Sequence, residues 1–390
     1  MLLDNSTVFT SAIASSILAS GSICLANATS NETPESEKVP VVYIIPMEGQ
    51  MGTDIHEENM AKVIEDIREQ SPQPDIVVMR LNSADFGTNY HLMQVDQKES
   101  GMSKIEEYRG MVSDLQENIP SNIRQVVWVE DSVGWGSLLA VAWENMYMAP
   151  EARLWGLRQL FDGAQNWSDE DVREKMEEAW EGIGRGFFEL GGHGEFARVL
   201  GGAMMDPTKM LSADFKGRSV IWRDDVNGDW KVDDNDEQEA RFEGRLAEDT
   251  MLSDGIAESI EDLMFLMGYR EYEANTSGEE LVARYKDQWR RAYKDSLEAW
   301  ADYQGGGRGD DALKQALSQK ISVDKVLRNM KRFNAVERRL EREAGINITR
   351  LELMLDQIND RIRQIKNNGR GTNRGRGGGS GVSGGGGRGR

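Results

Sequence analysis

Short apolar runs alternate with longer amphipathic stretches over the first part of the chain. The runs at 41–45, 75–81 and 125–129 are rich in valine and isoleucine and are bounded by polar residues, proline or glycine. Continuous apolar runs of this length are typical of strands buried on both faces of a parallel sheet. The intervening segments at 56–70 and 105–118 carry apolar residues at helical spacing. This alternation predicts βα units and a mainly parallel sheet, and therefore an α/β fold.

Weaker patterns surround this region. Pro46 and Gly49 are expected to end the first strand. Residues 168–190 are predicted to form a charged helix, interrupted by glycines at 182–184 and followed by further glycines at 191–192. Residues 211–245 are polar and predicted to be strand-rich. Residues 247–268 are predicted to form a helix, a glycine turn, a short strand and a second helix.

The composition changes after residue 268. Residues 269–303 are predicted to be a charged helix, and 304–310 a glycine hinge. Residues 311–367 are predicted to form a helical hairpin or coiled coil, because apolar residues recur there at heptad spacing. The residues of this seam are Val326, Met330, Phe333, Leu340, Leu351, Leu355, Ile358, Ile362 and Ile365. Gly345 allows the chain to fold back as an antiparallel hairpin, and a straight helix is the alternative.

The N-terminal 28 residues predict export. A weakly apolar stretch at 8–28 ends in Ala26-Asn27-Ala28, which has the layout of a secretory signal cleaved after Ala28. The protein would then be secreted or periplasmic, with a polar linker at 29–39. Asp4 stands where a signal normally carries basic residues, so the alternative is a serine- and alanine-rich tail on a cytoplasmic protein. No later segment approaches the roughly 20 apolar residues that a membrane helix needs.

Charge narrows the possible partners. The net charge of −21 argues against a general nucleic-acid binder, because a polyanion would be repelled. The glycine- and serine-rich tail at 368–390 is the exception, since it carries five arginines and cannot build a core. The tail is predicted to be disordered. It would contact an acidic surface, including that of the protein itself, or RNA, unless it is simply solvated.

Neither a cofactor nor a metal is predicted. One cysteine cannot form a disulfide within the chain, and one cysteine with three histidines argues against a Cys/His metal site. The acidic segment 224–237 places Asp225, Asn227, Asp229 and Asp233 at alternating positions, like the first ligands of a calcium loop. The sixth loop position, which calls for glycine, is Trp230. An acidic hairpin turn at Asn227 and Gly228 between two strands is therefore predicted instead.

Residues 126–150 are the most informative segment. They have the pattern of a buried strand, a Gly/Ser turn, a small-residue helix, and a second strand that ends in Met148-Ala149-Pro150. With the blocks at 41–51, 75–87 and 247–263, they give residues 40–268 a resemblance to the Clp/crotonase superfamily. Within it, the chain resembles the NfeD-type and SppA-type serine proteases. The resemblance implies a βα spiral domain with a serine nucleophile at a helix N-terminus, a lysine base and a glycine-rich oxyanion loop.

Carried over residue by residue, the resemblance implies a degraded site. Trp135 stands at the nucleophile position, and an indole cannot act as a nucleophile. Ser137 is two residues further on, which is a rotation of about 200° on a helix. Lys175 is the candidate base. The alternative is that Lys175 simply lies on the solvent-exposed face of a charged helix. Gly87 and Gly136 remain as candidate oxyanion residues.

These observations predict a catalytically degenerate relative of such proteases that acts as a binding or assembly module. The expected partners are a peptide or protein and further copies of the same chain. The alternative is an active endopeptidase that uses Ser137 and Lys175 with a rearranged oxyanion loop. A third possibility is an acyl-CoA enzyme of the crotonase branch, which no adenine or CoA signature supports.

Overall fold

The fold is described from a computed structural model of the chain, which covers residues 38–83, 101–158, 168–217 and 219–373. The predicted signal peptide at 1–28 lies outside the described residues. Gly87, the candidate oxyanion residue, also lies outside them, as does the Gly/Arg tail from residue 374 onward.

A mixed, mainly parallel sheet lies at the centre of the α/β region, as the sequence predicted. In chain order the strands are β1 (Val41–Glu48), β2 (Ile76–Asn82), β3 (Arg124–Val133), β4 (Met146–Met148), β5 (Arg153–Trp155), β6 (Leu211–Lys216), β7 (Ser219–Arg223), β8 (Trp230–Asp233), β9 (Phe242–Glu243), β10 (Gly255–Ile256) and β11 (Glu273–Asn275). The sheet order is β10–β4–β3–β2–β1–β11, and each neighbouring pair is parallel. Strand β5 extends it by pairing with the end of β3 and, antiparallel, with β9.

The first strand is longer than predicted. Pro46 does not end β1 but lies within it, in register with Arg80 of β2. The other neighbour of β1, strand β11, pairs only with Val41 to Tyr43. Beyond Tyr43 none of the described strands pairs with this edge of β1, and a residue without an amide hydrogen is tolerated there.

The helices of the α/β region pack on both faces of this sheet. They are α1 (Glu57–Glu69), α2 (Gly101–Asn118), α3 (Gly136–Ala140), α4 (Glu170–Leu190), α5 (Ala197–Met205), α6 (Gly244–Asp249) and α7 (Ile260–Leu266). Alternate residues of β1 serve different cores: Tyr43 and Ile45 face the larger one, whereas Val42 and Ile44 face a smaller one that includes Leu263 of α7. This two-sided burial explains the continuous apolar runs in the sequence.

Helix α4 runs without a break from Glu170 to Leu190, so the predicted interruption at 182–184 is wrong. The glycine at 184 serves packing instead. A side chain there would lie 2.7 Å from the sulfur of Met205 on α5. The missing Cβ lets the two helices approach each other closely, and this contact outweighs the low helix propensity of glycine.

Strands β6, β7 and β8 form a separate antiparallel sheet in the order β7–β6–β8. The prediction that Asn227 and Gly228 form the turn of a hairpin is therefore wrong, because the two strands that they connect do not pair with each other. These residues do connect β7 to β8, but both strands pair with β6, which lies between them. Gly228 packs against β6, where a Cβ would lie 2.8 Å from the carbonyl oxygen of Ala213.

The C-terminal region is helical. Its helices are α8 (Ser277–Gln304), α9 (Ala312–Arg332), α10 (Asn334–Ala344) and α11 (Ile348–Asn373). Helix α8 begins against the sheet: a Cβ on Gly278 would collide with the carbonyl oxygen of Ile44 and the ring of Tyr43. Its later turns lie in a separate apolar core with the other three helices. One helix therefore belongs to both cores and joins the two regions.

The segment predicted as a hairpin or a straight helix is divided into three helices. The helical conformation is interrupted at Phe333 and again at Gly345, whose φ is 61°. Helices α9 and α11 run antiparallel, because Lys331 pairs with Glu352 at 2.6 Å while Gln319 bonds Arg361. The seam residues of both halves belong to the shared helical core, in which Leu355 and Ile365 are partly buried and the others are buried. The heptad pattern therefore serves packing within one chain.

Candidate active site

The turn between β3 and α3 is where the resemblance places a nucleophile. Gly134 adopts a left-handed conformation with φ 82°, which glycine reaches without strain. Its amide donates a 2.7 Å hydrogen bond to the carbonyl oxygen of Trp155 on β5. Trp135 follows directly, at the N-cap position of the five-residue helix α3, and its side chain makes no capping hydrogen bond. The backbone therefore turns sharply here, and the hydrogen bond from the Gly134 amide holds it against the neighbouring strand.

Trp135 fills apolar space at this turn. Its side chain is 9% exposed and belongs to the larger core. The ring centroid lies 6.2 Å from that of Trp180 on α4, at an interplanar angle of 59°. The residues of α3 that follow are all buried. An indole also has no group that could attack a carbonyl carbon.

Ser137, the candidate nucleophile, is completely buried. Its hydroxyl group lies 3.1 Å from the carbonyl oxygen of Ser132 and 3.0 Å from that of Trp155. A hydroxyl has one hydrogen to donate, and both acceptors here are backbone oxygens that cannot take up a proton. The geometry holds this hydroxyl as a structural donor.

Gly136 packs against two serines whose contact with each other was not predicted from the sequence. The hydroxyl oxygens of Ser83, at the end of β2, and Ser132, on β3, are 3.0 Å apart and both residues are fully buried. A Cβ on Gly136 would collide with the oxygen of Ser83 and would lie 2.9 Å from that of Ser132. The space beside the Gly136 backbone is therefore occupied by side chains.

Lys175 lies on the solvent side of α4. The structure does not bring it together with Ser137, because one side chain is exposed and the other is completely enclosed. A general base must reach the hydroxyl within hydrogen-bond distance.

An acidic groove lies beside Trp180, with a volume of about 230 Å³. It is lined by Glu174, Glu177, Glu178, Trp180, Glu181, Gly202, Met205, Asp206 and Lys209. Lys209 is paired with Glu181 at 2.8 Å. Five carboxylates against one lysine give the groove a negative potential, which favours cationic groups.

The acidic segment at 224–237 is engaged in internal contacts. Both carboxylate oxygens of Asp225 accept hydrogen bonds from Arg223, and this pairing holds the pKa of Asp225 below its usual range. The backbone amide of Asp229 donates to Asp214 on β6. Within the described ranges, no group of three or more His, Cys, Asp or Glu side chains is placed to hold a metal ion.

Two histidines are removed from solvent to different extents: His56 is buried and His193 is half-buried. Burial, together with the smaller effect of the nearby Arg338 charge, lowers the pKa of His56 to about 3. Burial also lowers the pKa of His193 to about 4. His193 packs edge-on against Phe188, with ring centroids 5.5 Å apart. Both rings are therefore neutral at physiological pH.

No model of a known protein family matches the chain, and no curated protein matches it. The function has to be inferred from the geometry of the site.

Proposed function

We propose that residues 40–268 are a catalytically degenerate domain of the Clp/crotonase type, related to the NfeD- and SppA-type proteases. The protein acts as an exported binding or assembly module. One observation carries this proposal: the three serines at the turn, Ser83, Ser132 and Ser137, are each 0% exposed. Acyl transfer needs a nucleophile that a substrate can reach and a base beside it. Enclosed hydroxyls cannot meet this requirement, and this favours a binding or assembly role over hydrolysis.

The partners in this proposal are a peptide or protein segment and further copies of the chain. The acidic groove beside Trp180 favours a segment that carries lysine or arginine. Contacts between copies would use exposed apolar side chains of α9 and α11, such as Ile321 and Leu353, because the heptad seam is already covered within the chain. Light scattering would then give a mass above the 43.8 kDa of one chain. In the described part of the chain, no helix is long and apolar enough to cross a bilayer.

A hydrolysis assay tests the proposal. The chain, its Ser137→Ala variant and its Lys175→Ala variant are incubated with an unfolded protein substrate that fluoresces on cleavage. All three are expected to give the same background rate, because the Ser137 hydroxyl is enclosed and Lys175 does not contact it. Cleavage by the parent chain that both variants lose would establish the alternative, an active Ser–Lys endopeptidase.

A further inference from the structure

The loop between β1 and α1 is polar in sequence yet buried. Every residue from Gly49 to His56 is buried, although the stretch includes Gln50, Thr53 and Asp54. Connecting loops normally run over the surface, because water satisfies their backbone groups. This loop lies at the carboxyl end of β1 and must find its hydrogen-bond partners inside the protein.

Helices of the C-terminal region close over this loop. Arg338 of α10 donates to the hydroxyl of Tyr108 at 3.1 Å and also to Glu107 on α2. Arg290 of α8 donates to Asp54 at 3.0 Å. Gly52 has a φ of 86°, and a Cβ there would lie 2.8 Å from the Tyr108 hydroxyl. The loop is therefore sealed between the sheet and the helical region.

Two polar atoms beneath this cover have no partner among the described protein atoms. The Nδ1 atom of His56 accepts the amide hydrogen of Glu58 at 3.1 Å, so the hydrogen of the neutral ring is on Nε2. That Nε2 atom is a buried donor without an acceptor. The amide nitrogen of Asn59 donates to the carbonyl oxygen of Asp54 at 3.2 Å, which leaves Oδ1 as a buried acceptor without a donor.

The chemistry of the two atoms selects the ligand. A cation is disfavoured by the Nε2 hydrogen of His56 and by the charge of Arg338 nearby. An anion is disfavoured by the lone pairs of Asn59 Oδ1. Water can accept from one atom and donate to the other, and buried waters typically make about three such bonds. His56 is the N-cap residue of α1 and Asn59 is the third residue of the helix, the two positions whose side chains lie side by side in a capping box.

We propose that a single buried water molecule binds here, accepting from His56 Nε2 and donating to Asn59 Oδ1. It supplies one hydrogen bond to the last residue of the loop and one to the first turn of α1, beneath the C-terminal helices. A buried donor or acceptor that is left unpaired destabilises the folded chain, so the water is expected to remain bound while the chain is folded.

A high-resolution crystal structure of the full chain tests this site. The expected result is a well-ordered water within about 3 Å of both atoms. In solution, the Nε2 hydrogen of His56 is expected to show a nuclear Overhauser contact to a long-lived water, and the Asn59→Leu variant is expected to lose it. Direct bonding of either atom to another protein group, or a dry space between them, would overturn the proposal.

Discussion

Replacing Trp135 with alanine is expected to lower the free energy of unfolding by about 3–5 kcal/mol, the cost of removing a large aromatic side chain from a core. The indole is 9% exposed and packs against Trp180, so its loss leaves a cavity that the surrounding helices can fill only in part. Urea unfolding followed by circular dichroism measures the change, since tryptophan fluorescence would itself be altered by the substitution.

The chain supplies a matched control for this experiment. Trp230 is 40% exposed and contacts Phe215 only edge-on, with ring centroids 6.5 Å apart. The Trp230→Ala variant is expected to lose about 1 kcal/mol, the value of one such aromatic contact. Equal losses for the two variants would mean that Trp135 borders an open cleft, and the degenerate site would then have to be reconsidered.

The second large effect is a fall in stability below pH 6.5. The pKa of His56 is about 3 in the folded chain, because burial and Arg338 disfavour its charged form, against an ordinary value of 6.5. Between these values the unfolded chain binds more protons than the folded one. The stabilisation is therefore complete above pH 6.5 and is lost as the pH falls, by about 1.4 kcal/mol per pH unit.

The variant His56→Asn isolates this contribution. Asparagine is a good N-cap residue and can accept the amide hydrogen of Glu58, but it does not titrate. The difference in stability between the parent chain and the variant is expected to be constant above pH 6.5, and below it the parent is expected to lose stability relative to the variant. The carboxylates titrate in both proteins and cancel in the comparison. Two parallel stability curves down to pH 4 would show that His56 is not held neutral by its surroundings.

The sequence was sufficient to predict the three long strands of the central sheet, β1, β2 and β3, and that the sheet is mainly parallel. Their apolar runs are local signals, and burial on both faces makes them continuous. Strand β11, with the sequence Glu-Ala-Asn, was missed because its residues are polar or small and its pairing depends on the free edge of β1. Pro46 was misjudged for the same reason, since whether proline is tolerated depends on which strand lies alongside.

The candidate site was predictable only in part. The position of Trp135 and the turn that holds it followed from the order of strand, glycine and helix in one segment. The contact between Ser83 and Ser132 could not be read in this way, because it joins the ends of two strands 49 residues apart. One usable signal was that both serines follow apolar runs, which in a parallel sheet end at the same edge. The burial of the polar loop at 49–56 depends on helices more than 200 residues later in the chain.

The decisive experiment is to treat the intact chain with a fluorophosphonate probe and to measure its mass by mass spectrometry. An active serine hydrolase in the same mixture serves as the positive control. We expect the hydrolase to be fully labelled and this chain to keep its unmodified mass, because the hydroxyls of Ser83, Ser132 and Ser137 are enclosed. A single adduct on Ser137, absent from the Ser137→Ala variant, would show instead that the turn opens and that the protein is an enzyme.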